Sequence, residues 1–218
     1  MAPVLGYWNI RGRAQPIRLF LEYLGEEYAE RRYGQEEFGR WQQEKCTIDL
    51  DFPNLPYYMD GDFHLSQSMA IIRYIADKHN QLGKDPKDRA RISMLEGAVI
   101  DLRSAISTMA YSPQLEEEKK KLLEKMPVFL QKFALYLGTK QFLTGDKPIY
   151  VDFMLYEALD CVRYLDSNTL NKFGCLTTFM KRIEDLPPIK KYMNSDRFIK
   201  WPLQAWFAGF GGGSAPPS

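Results

Sequence analysis

The sequence predicts an α/β half with a small mixed sheet, followed by an all-α half. Three observations support this fold class. Strand-like runs alternate with an amphipathic helical run up to about residue 80, the pair Asp60-Gly61 marks a hairpin, and apolar residues recur at steps of three and four from residue 86 onward. We therefore expect two domains, residues 1–82 and 88–218, which a chain of this length can accommodate.

The chain begins with a β-α-β pattern. Residues 3–8 (PVLGYW) have the character of a buried strand, and residues 28–33 (YAERRY) indicate a weaker second strand. A helix is predicted between them because four apolar side chains fall at i, i+3, i+4 and i+7, with a proline suited to the first turn and a glycine suited to the end. These residues are Ile17, Phe20, Leu21 and Leu24, with Pro16 and Gly25.

A loop, a hairpin and a helix complete this half. The segment FPNLP at 52–56 interrupts regular structure, because each proline holds the residue before it in an extended conformation. Two short strands joined by Asp60-Gly61 follow, and then a helix with Ser66 or Ser68 as its N-terminal cap. The order β-α-β-loop-β-β-α is compatible with a thioredoxin-like domain. The inward residues of the last helix are Ile71, Ile72 and Ile75.

From residue 86 the pattern becomes helical. Two amphipathic stripes predict two long helices, the second with a kink at Pro127. A third helix is predicted from Asp152 to about Leu165, with shorter helices near 170–193 and a mobile, linker-like tail after Gly209. The stripes consist of Ile92, Leu95, Val99, Leu102 and Ile106, and of Leu122, Met126, Phe129, Phe133 and Leu137.

Composition argues against several function classes. The formal net charge is +1, so no strong field attracts nucleic acid or an anionic membrane. No apolar run suits membrane insertion and no secretory signal opens the chain, while the three cysteines form no CxxC pair, so we expect a reduced, cytoplasmic protein. The two histidines lack ligand-spaced partners for a metal. Sequence motifs of nucleotide-binding loops, serine hydrolases, zinc peptidases and dinucleotide-binding folds are absent.

Five ordered segments carry a family resemblance. They are YWNIRGRAQPIRLFLEYLGEEY at 7–28, DFPNLPYYMDGD at 51–62, LSQSMAIIRYIADKH at 65–79, ARISMLEGAVIDLR at 90–103 and DFMLYEALD at 152–160. The chain resembles mu-class glutathione transferases over nearly its whole length, and the short segment between Tyr33 and Trp41 is similar to the compact form of the flatworm enzymes. The resemblance implies an enzyme that adds glutathione, a co-substrate rather than a cofactor, to hydrophobic electrophiles.

Tyr7 lies near the end of the first predicted strand. From the pattern alone, a strand tyrosine packs into the core. The resemblance implies instead that its phenol donates a hydrogen bond to the sulfur of glutathione, and a bond to the charged form lowers the pKa of the thiol. A free thiol has a pKa of about 8.5, and lowering it by about two requires about 2.7 kcal/mol. Because thiolate is the nucleophile, this bond controls the rate.

The resemblance also implies the contacts to the rest of glutathione. Gln67 and Ser68 begin a helix, where free N–H groups favour the γ-glutamyl carboxylate, although a simple capping serine is the ordinary interpretation. The loop Asn54-Leu55-Pro56 pairs its backbone with the cysteinyl part, and Pro56 then follows a cis peptide bond.

Three further side chains are implied for the glycyl carboxylate, namely Trp8, Trp41 and Lys45. Trp41 and Lys45 are four residues apart, so one helix face can present both. Asp101 is implied to reach across from a second subunit and face the glutamyl ammonium. Without the resemblance, Lys45 and Asp101 are ordinary solvent-exposed charges.

The acceptor pocket implied by the resemblance is lined by Ile10, Arg13, Tyr111, Gln204 and Ala205. Tyr111 is expected to donate a hydrogen bond to substrates such as epoxides or enones. Arg13 departs from the family pattern, since many relatives carry an apolar residue there, and the polar Gln204 makes the pocket less apolar than in some relatives. Both departures are expected to change acceptor preference.

The resemblance further implies a homodimer with two sites. Phe52 is similar to an aromatic residue that inserts into the partner subunit, and Arg73 to an interface arginine near the two-fold axis. Another departure is Ile149, which replaces the Ser or Thr that forms a capping box with Asp152, so we expect a less well-capped helix.

Two other functions remain open at this point. The same fold can act as a non-catalytic carrier of hydrophobic ligands, and the helical half can act as an interaction module. The complete set of expected glutathione contacts favours the enzyme, and a module would usually bring an additional domain.

Overall fold

The computed structural model describes residues 2–215 and confirms the predicted fold class. A sheet and its helices occupy the chain up to Lys78, and the chain from Pro86 onward is helical. Within the described residues, no helix is both long and apolar enough to cross a membrane.

A four-stranded mixed sheet forms the N-terminal half. Strand β1 (Val4–Trp8) pairs in parallel with β2 (Ala29–Tyr33) and antiparallel with β3 (Tyr57–Asp60), which pairs antiparallel with β4 (Phe63–Ser66). The sheet order is β2-β1-β3-β4. The parallel pair is connected by helix α1 (Gln15–Leu24), as parallel strands require a crossover.

Helix α1 begins and ends as its sequence predicts. Pro16 lies in the first turn, and Gly25 caps the other end with φ of +69°, a conformation that suits glycine. Three of the four predicted inward residues are fully buried, namely Ile17, Phe20 and Leu21.

The hairpin is confirmed, with its turn one residue later than predicted, because Asp60 pairs with Phe63 and Gly61-Asp62 connects the strands. Helix α3 (Ser68–Lys78) follows it. The predicted serine cap of α3 is wrong. The hydroxyl of Ser66 donates to the carbonyl of Phe52 at 2.6 Å, and the capping position is taken by Gln67, with φ of +72° and no capping side-chain bond. Between β2 and β3, a 3-10 turn (Gln35–Glu37) leads into the short helix α2 (Phe38–Glu44).

The second half consists of α4 (Pro86–Ala110), α5 (Leu115–Leu137), α6 (Tyr150–Asn171), α7 (Gly174–Glu184) and α8 (Pro187–Met193). The predicted stripe of α4 is buried throughout. Helix α6 lies at the centre of the molecule, since it contacts α1, α4 and α7.

Two sequence predictions in this half need correction. The buried stripe of α5 passes through Leu130 where Phe129 was predicted, while the kink expected at Pro127, which lies inside this helix, stays a prediction. The backbone departs from helical geometry at Asp166 in α6. The tail just after Gly209 is not a free linker, because the N–H of Leu203 donates to the Gly211 carbonyl at 2.8 Å; residues 216–218 lie outside the described range.

Buried charges connect the two halves. Arg11, in the loop after β1, donates through Nε to Glu157 at 3.1 Å and lies 2.6 Å from Asp160, and both carboxylates belong to α6. All three side chains are almost completely buried. Nearby, the rings of Phe20 and Phe153 are 5.9 Å apart across the α1–α6 contact. Removing one member of such a buried set typically costs about 3–5 kcal/mol, so this contact fixes the loop after β1 against α6.

Candidate active site

A cavity of about 330 Å³ lies between the loop after β1, the start of α3 and helix α4. Its lining combines apolar side chains with hydroxyl, amide and guanidinium groups. Six of the residues predicted for the site reach this cavity, namely Tyr7, Ile10, Arg13, Ser68, Tyr111 and Gln204.

Tyr7 is 6% exposed, and its phenol reaches the cavity. The phenol oxygen accepts a hydrogen bond from the backbone N–H of Arg13 at 3.1 Å. Burial raises the pKa of Tyr7, and the Arg13 amide together with the nearby guanidinium groups of Arg103 and Arg13 opposes that rise. The phenol is therefore protonated at neutral pH, and its own O–H can donate to a group in the cavity.

Gly12 gives the phenol its space. Its φ is +42°, and a Cβ built there would lie 2.6 Å from the Tyr7 oxygen. A larger residue would therefore both strain the backbone and displace the phenol.

Arg103, on α4, holds the same loop and was not identified from the sequence. Its Nη2 donates to the carbonyl of Gly12 at 2.8 Å, and that carbonyl belongs to the peptide whose N–H, from Arg13, bonds to Tyr7. A cation on the carbonyl polarises the peptide and strengthens the N–H as a donor. A weak sequence signal marks this residue, because it is a charged side chain at the edge of the apolar stripe of α4, four residues after Val99 and three before Ile106.

The other tyrosine of the cavity, Tyr111, is 39% exposed at the end of α4. Its oxygen accepts the backbone N–H of Ala205 at 2.9 Å and lies 3.4 Å from Oε1 of Gln204, to which it donates. Ala205 thus contributes through its backbone, while the side chain of Gln204 lines the cavity.

The loop before β3 contains the Leu55–Pro56 cis peptide bond that was predicted. The backbone N–H of Leu55 is held by Oδ1 of Asn54 at 2.9 Å. A ligand that pairs with this amide must therefore displace the Asn54 side chain.

The predicted glycyl-carboxylate group lies apart from the cavity. Trp8 borders a second depression near Tyr33 and Trp206, and its ring stacks on Phe38 with centroids 6.0 Å apart. Trp41 is buried against Tyr57. Lys45 follows α2 as an exposed side chain.

Three further predicted residues lie on the surface. Asp101 is exposed on α4, and the loop residue Phe52 is 76% exposed. Arg73 is half exposed and donates through Nε to both oxygens of the buried Glu96, at 2.9 and 3.0 Å. Gln67 is also exposed, beside the cavity residue Ser68.

At the start of α6, Asp152 replaces part of the missing cap. Its Oδ2 accepts the N–H of Ile149 at 2.9 Å, and its Oδ1 accepts the N–H of Leu143 at 2.7 Å. As expected, Ile149 supplies no side-chain capping bond, and Asp152 binds backbone amides of the N-cap and of the preceding loop.

Comparison with known proteins identifies the family. A profile described as "Glutathione S-transferase, N-terminal domain" matches residues 3–77, and one described as "Glutathione S-transferase, C-terminal domain" matches residues 100–196. The chain therefore belongs to the glutathione S-transferase family.

Individual relatives confirm the resemblance to the mu class. The chain is 56% identical over 217 residues to a glutathione S-transferase class-mu 26 kDa isozyme of Schistosoma mansoni, with all of both chains covered. It is 54% identical over 218 residues to isozyme 7 of the same description from Fasciola hepatica, again with full coverage. Among solved structures, the glutathione S-transferase Blo t 8 matches with a TM-score of 0.88 at 33% identity, covering 95% of this chain and 99% of that one.

Proposed function

We propose that this protein transfers glutathione to hydrophobic electrophiles and that Tyr7 is the catalytic residue. The observation that carries the proposal is the phenol of Tyr7, which is protonated, reaches the cavity and already accepts one hydrogen bond from a backbone amide. A phenol that accepts a bond at oxygen is a better donor through its own hydrogen. Its bond to the glutathione sulfur stabilises the thiolate, which is the attacking nucleophile.

The rest of glutathione is proposed to bind along the edge of the sheet. The γ-glutamyl carboxylate meets Ser68 and Gln67 at the start of α3, where the helix dipole favours an anion. The cysteinyl backbone pairs with Leu55 after the Asn54 side chain has moved aside. The glycyl carboxylate is bound by Trp8, Trp41 and Lys45, and the separation of this group from the cavity suits an extended tripeptide.

The electrophile is proposed to bind in the cavity against Ile10 and Arg13, with Tyr111 as a hydrogen-bond donor and Gln204 and Ala205 supporting that tyrosine. Residues 1–82 then form the glutathione-binding domain, and residues 88–218 form the domain that supplies most of the acceptor wall. No cofactor enters this scheme.

A homodimer in the cytoplasm is the proposed working form. Asp101 of one subunit would face the glutamyl ammonium bound to the other, while Phe52 and Arg73 lie in the interface. The high exposure of Phe52 supports this part of the proposal, because a phenylalanine so fully exposed in one chain gains most from a partner. The alternative of a non-catalytic carrier is not favoured, since the relatives are named as transferases.

A titration of the bound thiol tests the role of Tyr7. The absorbance of the thiolate is followed against pH in the binary complex with glutathione, for the wild type, Tyr7→Phe and the control Tyr74→Phe. In Tyr7→Phe the thiol pKa should rise by about two, towards the free value of about 8.5. Tyr74 lies on α3 and bonds to Asp60, so its loss should leave the thiol pKa unchanged. Equal thiol pKa values in wild type and Tyr7→Phe contradict the proposed role.

A further inference from the structure

The cavity has an unusual charge balance. Arg13 and Arg103 line it, and no aspartate or glutamate does within residues 2–215. Other arginines, such as Arg11, Arg18 and Arg73, are paired with buried carboxylates. Over the same range, neither cavity arginine has a carboxylate oxygen within 4.0 Å. Two cations without a carboxylate in direct contact, in a cavity with apolar side chains in its lining, favour an anion.

Both guanidinium groups are positioned to meet a ligand. Arg103 is half-buried and held by its bond to the Gly12 carbonyl at 2.8 Å, which uses one of the five N–H donors of the group. The side chain of Arg13 lines the cavity and is exposed to solvent, while its backbone N–H donates a hydrogen bond to the Tyr7 hydroxyl. Arg103 lies close to Tyr7, because the Gly12 carbonyl that it binds shares a peptide with the Arg13 amide bonded to the phenol.

The remaining wall suits a small carbon skeleton. Ile10, Ile72 and Met154 supply apolar surface, and a volume of about 330 Å³ accommodates one ring with its substituents. We propose that Arg13 and Arg103 make this cavity selective for electrophiles that carry a carboxylate, which binds between the two guanidinium groups while the reactive carbon faces Tyr7. The inference rests on the proposed transferase function and names its substrate class.

The reaction remains an ordinary conjugation. With a chloronitroarene, the thiolate sulfur forms a bond to the ring carbon that carries chlorine, and negative charge passes to the nitro group. The carbon–chlorine bond then breaks, and chloride leaves with the electron pair. The carboxylate takes no part in bond changes, so its contact with the two guanidinium groups acts on binding and orientation alone.

The test compares two acceptors that differ in one charge, 4-chloro-3-nitrobenzoate and 4-chloro-3-nitrobenzamide. For each enzyme, the ratio of kcat/KM for acid over amide is divided by the same ratio for free glutathione thiolate in buffer, which removes the intrinsic difference in reactivity. In the wild type we expect this corrected ratio to favour the acid by about tenfold, the scale of one charge-assisted hydrogen bond. Arg13→Leu should remove most of the preference, and Arg13→Lys should retain part of it.

A matched control separates local from general charge effects. Arg91→Leu removes one positive charge from the exposed start of α4, about three helical turns before Arg103, and should leave the corrected ratio unchanged. Arg103→Gln should lower the corrected ratio of acid over amide. A wild-type ratio near one, or a ratio unaffected by Arg13→Leu, overturns the inference. Failure to conjugate the neutral acceptor 1-chloro-2,4-dinitrobenzene would instead overturn the proposed function.

Discussion

Asp152→Ala should destabilise the protein strongly without touching the cavity. Asp152 is completely buried at the start of α6, and its two oxygens accept the backbone N–H groups of Ile149 and Leu143. Alanine removes both acceptors and provides no substitute. The side chain therefore connects the first turn of α6 to the loop that precedes it, and its loss leaves two amides without partners.

The magnitude follows from those two amides. Each buried donor left unpaired costs about 1–3 kcal/mol, so the free energy of unfolding should fall by about 4 kcal/mol. At about 2–4 °C per kcal/mol for a chain of this size, the melting temperature should fall by about 10 °C. Asp146→Ala is the matched control, because Asp146 is exposed in the same loop and its removal should cost less than about 0.5 kcal/mol.

The pH dependence provides a second check. Burial raises the pKa of Asp152 to about 7. Because this value lies above that of the unfolded chain, the contribution of Asp152 is fully present at acid pH and is lost as pH rises through about 7. In urea unfolding followed by tryptophan fluorescence, the deficit of Asp152→Ala should therefore be larger at pH 5.5 than at pH 8.0. A deficit below about 1 kcal/mol, or one that grows with pH, refutes this reasoning.

Three further predictions concern other parts of the fold. Gly12→Ala should lower kcat/KM by about a hundredfold with an unchanged circular dichroism spectrum, because the new methyl displaces the phenol of Tyr7; near-normal activity argues against this geometry. Ile149→Thr should raise the melting temperature by about 2 °C, since a hydroxyl cap outweighs the partial loss of apolar burial, and a lower value contradicts the capping argument. Phe52→Ser should weaken self-association by about thirtyfold in sedimentation equilibrium, whereas an unaltered dissociation constant, or a monomeric wild type, counts against the proposed interface.

Local patterns predicted the elements well. The pair Asp60-Gly61 indicates a hairpin because the turn needs a residue with positive φ, and Gly61, in the observed turn Gly61-Asp62, supplies φ of +65°. Helix α1 is predicted for a similar reason, since Pro16 and Gly25 mark its ends and its apolar spacing marks its face. In these cases the information lies within a few residues of the feature.

Features that depend on distant contacts were not predicted. Arg103 lines the cavity and donates a hydrogen bond to the carbonyl of Gly12, which is 91 positions earlier in the chain. The segment after Gly209 has the composition of a linker, yet the Gly211 carbonyl accepts the N–H of Leu203. At the start of α3, the serine pattern suggested a cap, but the hydroxyl of Ser66 is used by the loop that contains Phe52. Sequence spacing alone does not show which distant residues form hydrogen bonds with each other.

The buried contact of Arg11 with Glu157 and Asp160 has a consequence for recombining this chain with its relatives. A chimera that joins the sheet half of one protein to the helical half of another inherits the guanidinium from one parent and the carboxylates from the other. If one parent lacks the arginine or the carboxylates, the chimera buries an unpaired charge under the loop after β1. The same loop carries the Arg13 amide that bonds to Tyr7. Gene-shuffling libraries should therefore transfer these three positions as one unit, and productive crossovers should be enriched where both parents already match there.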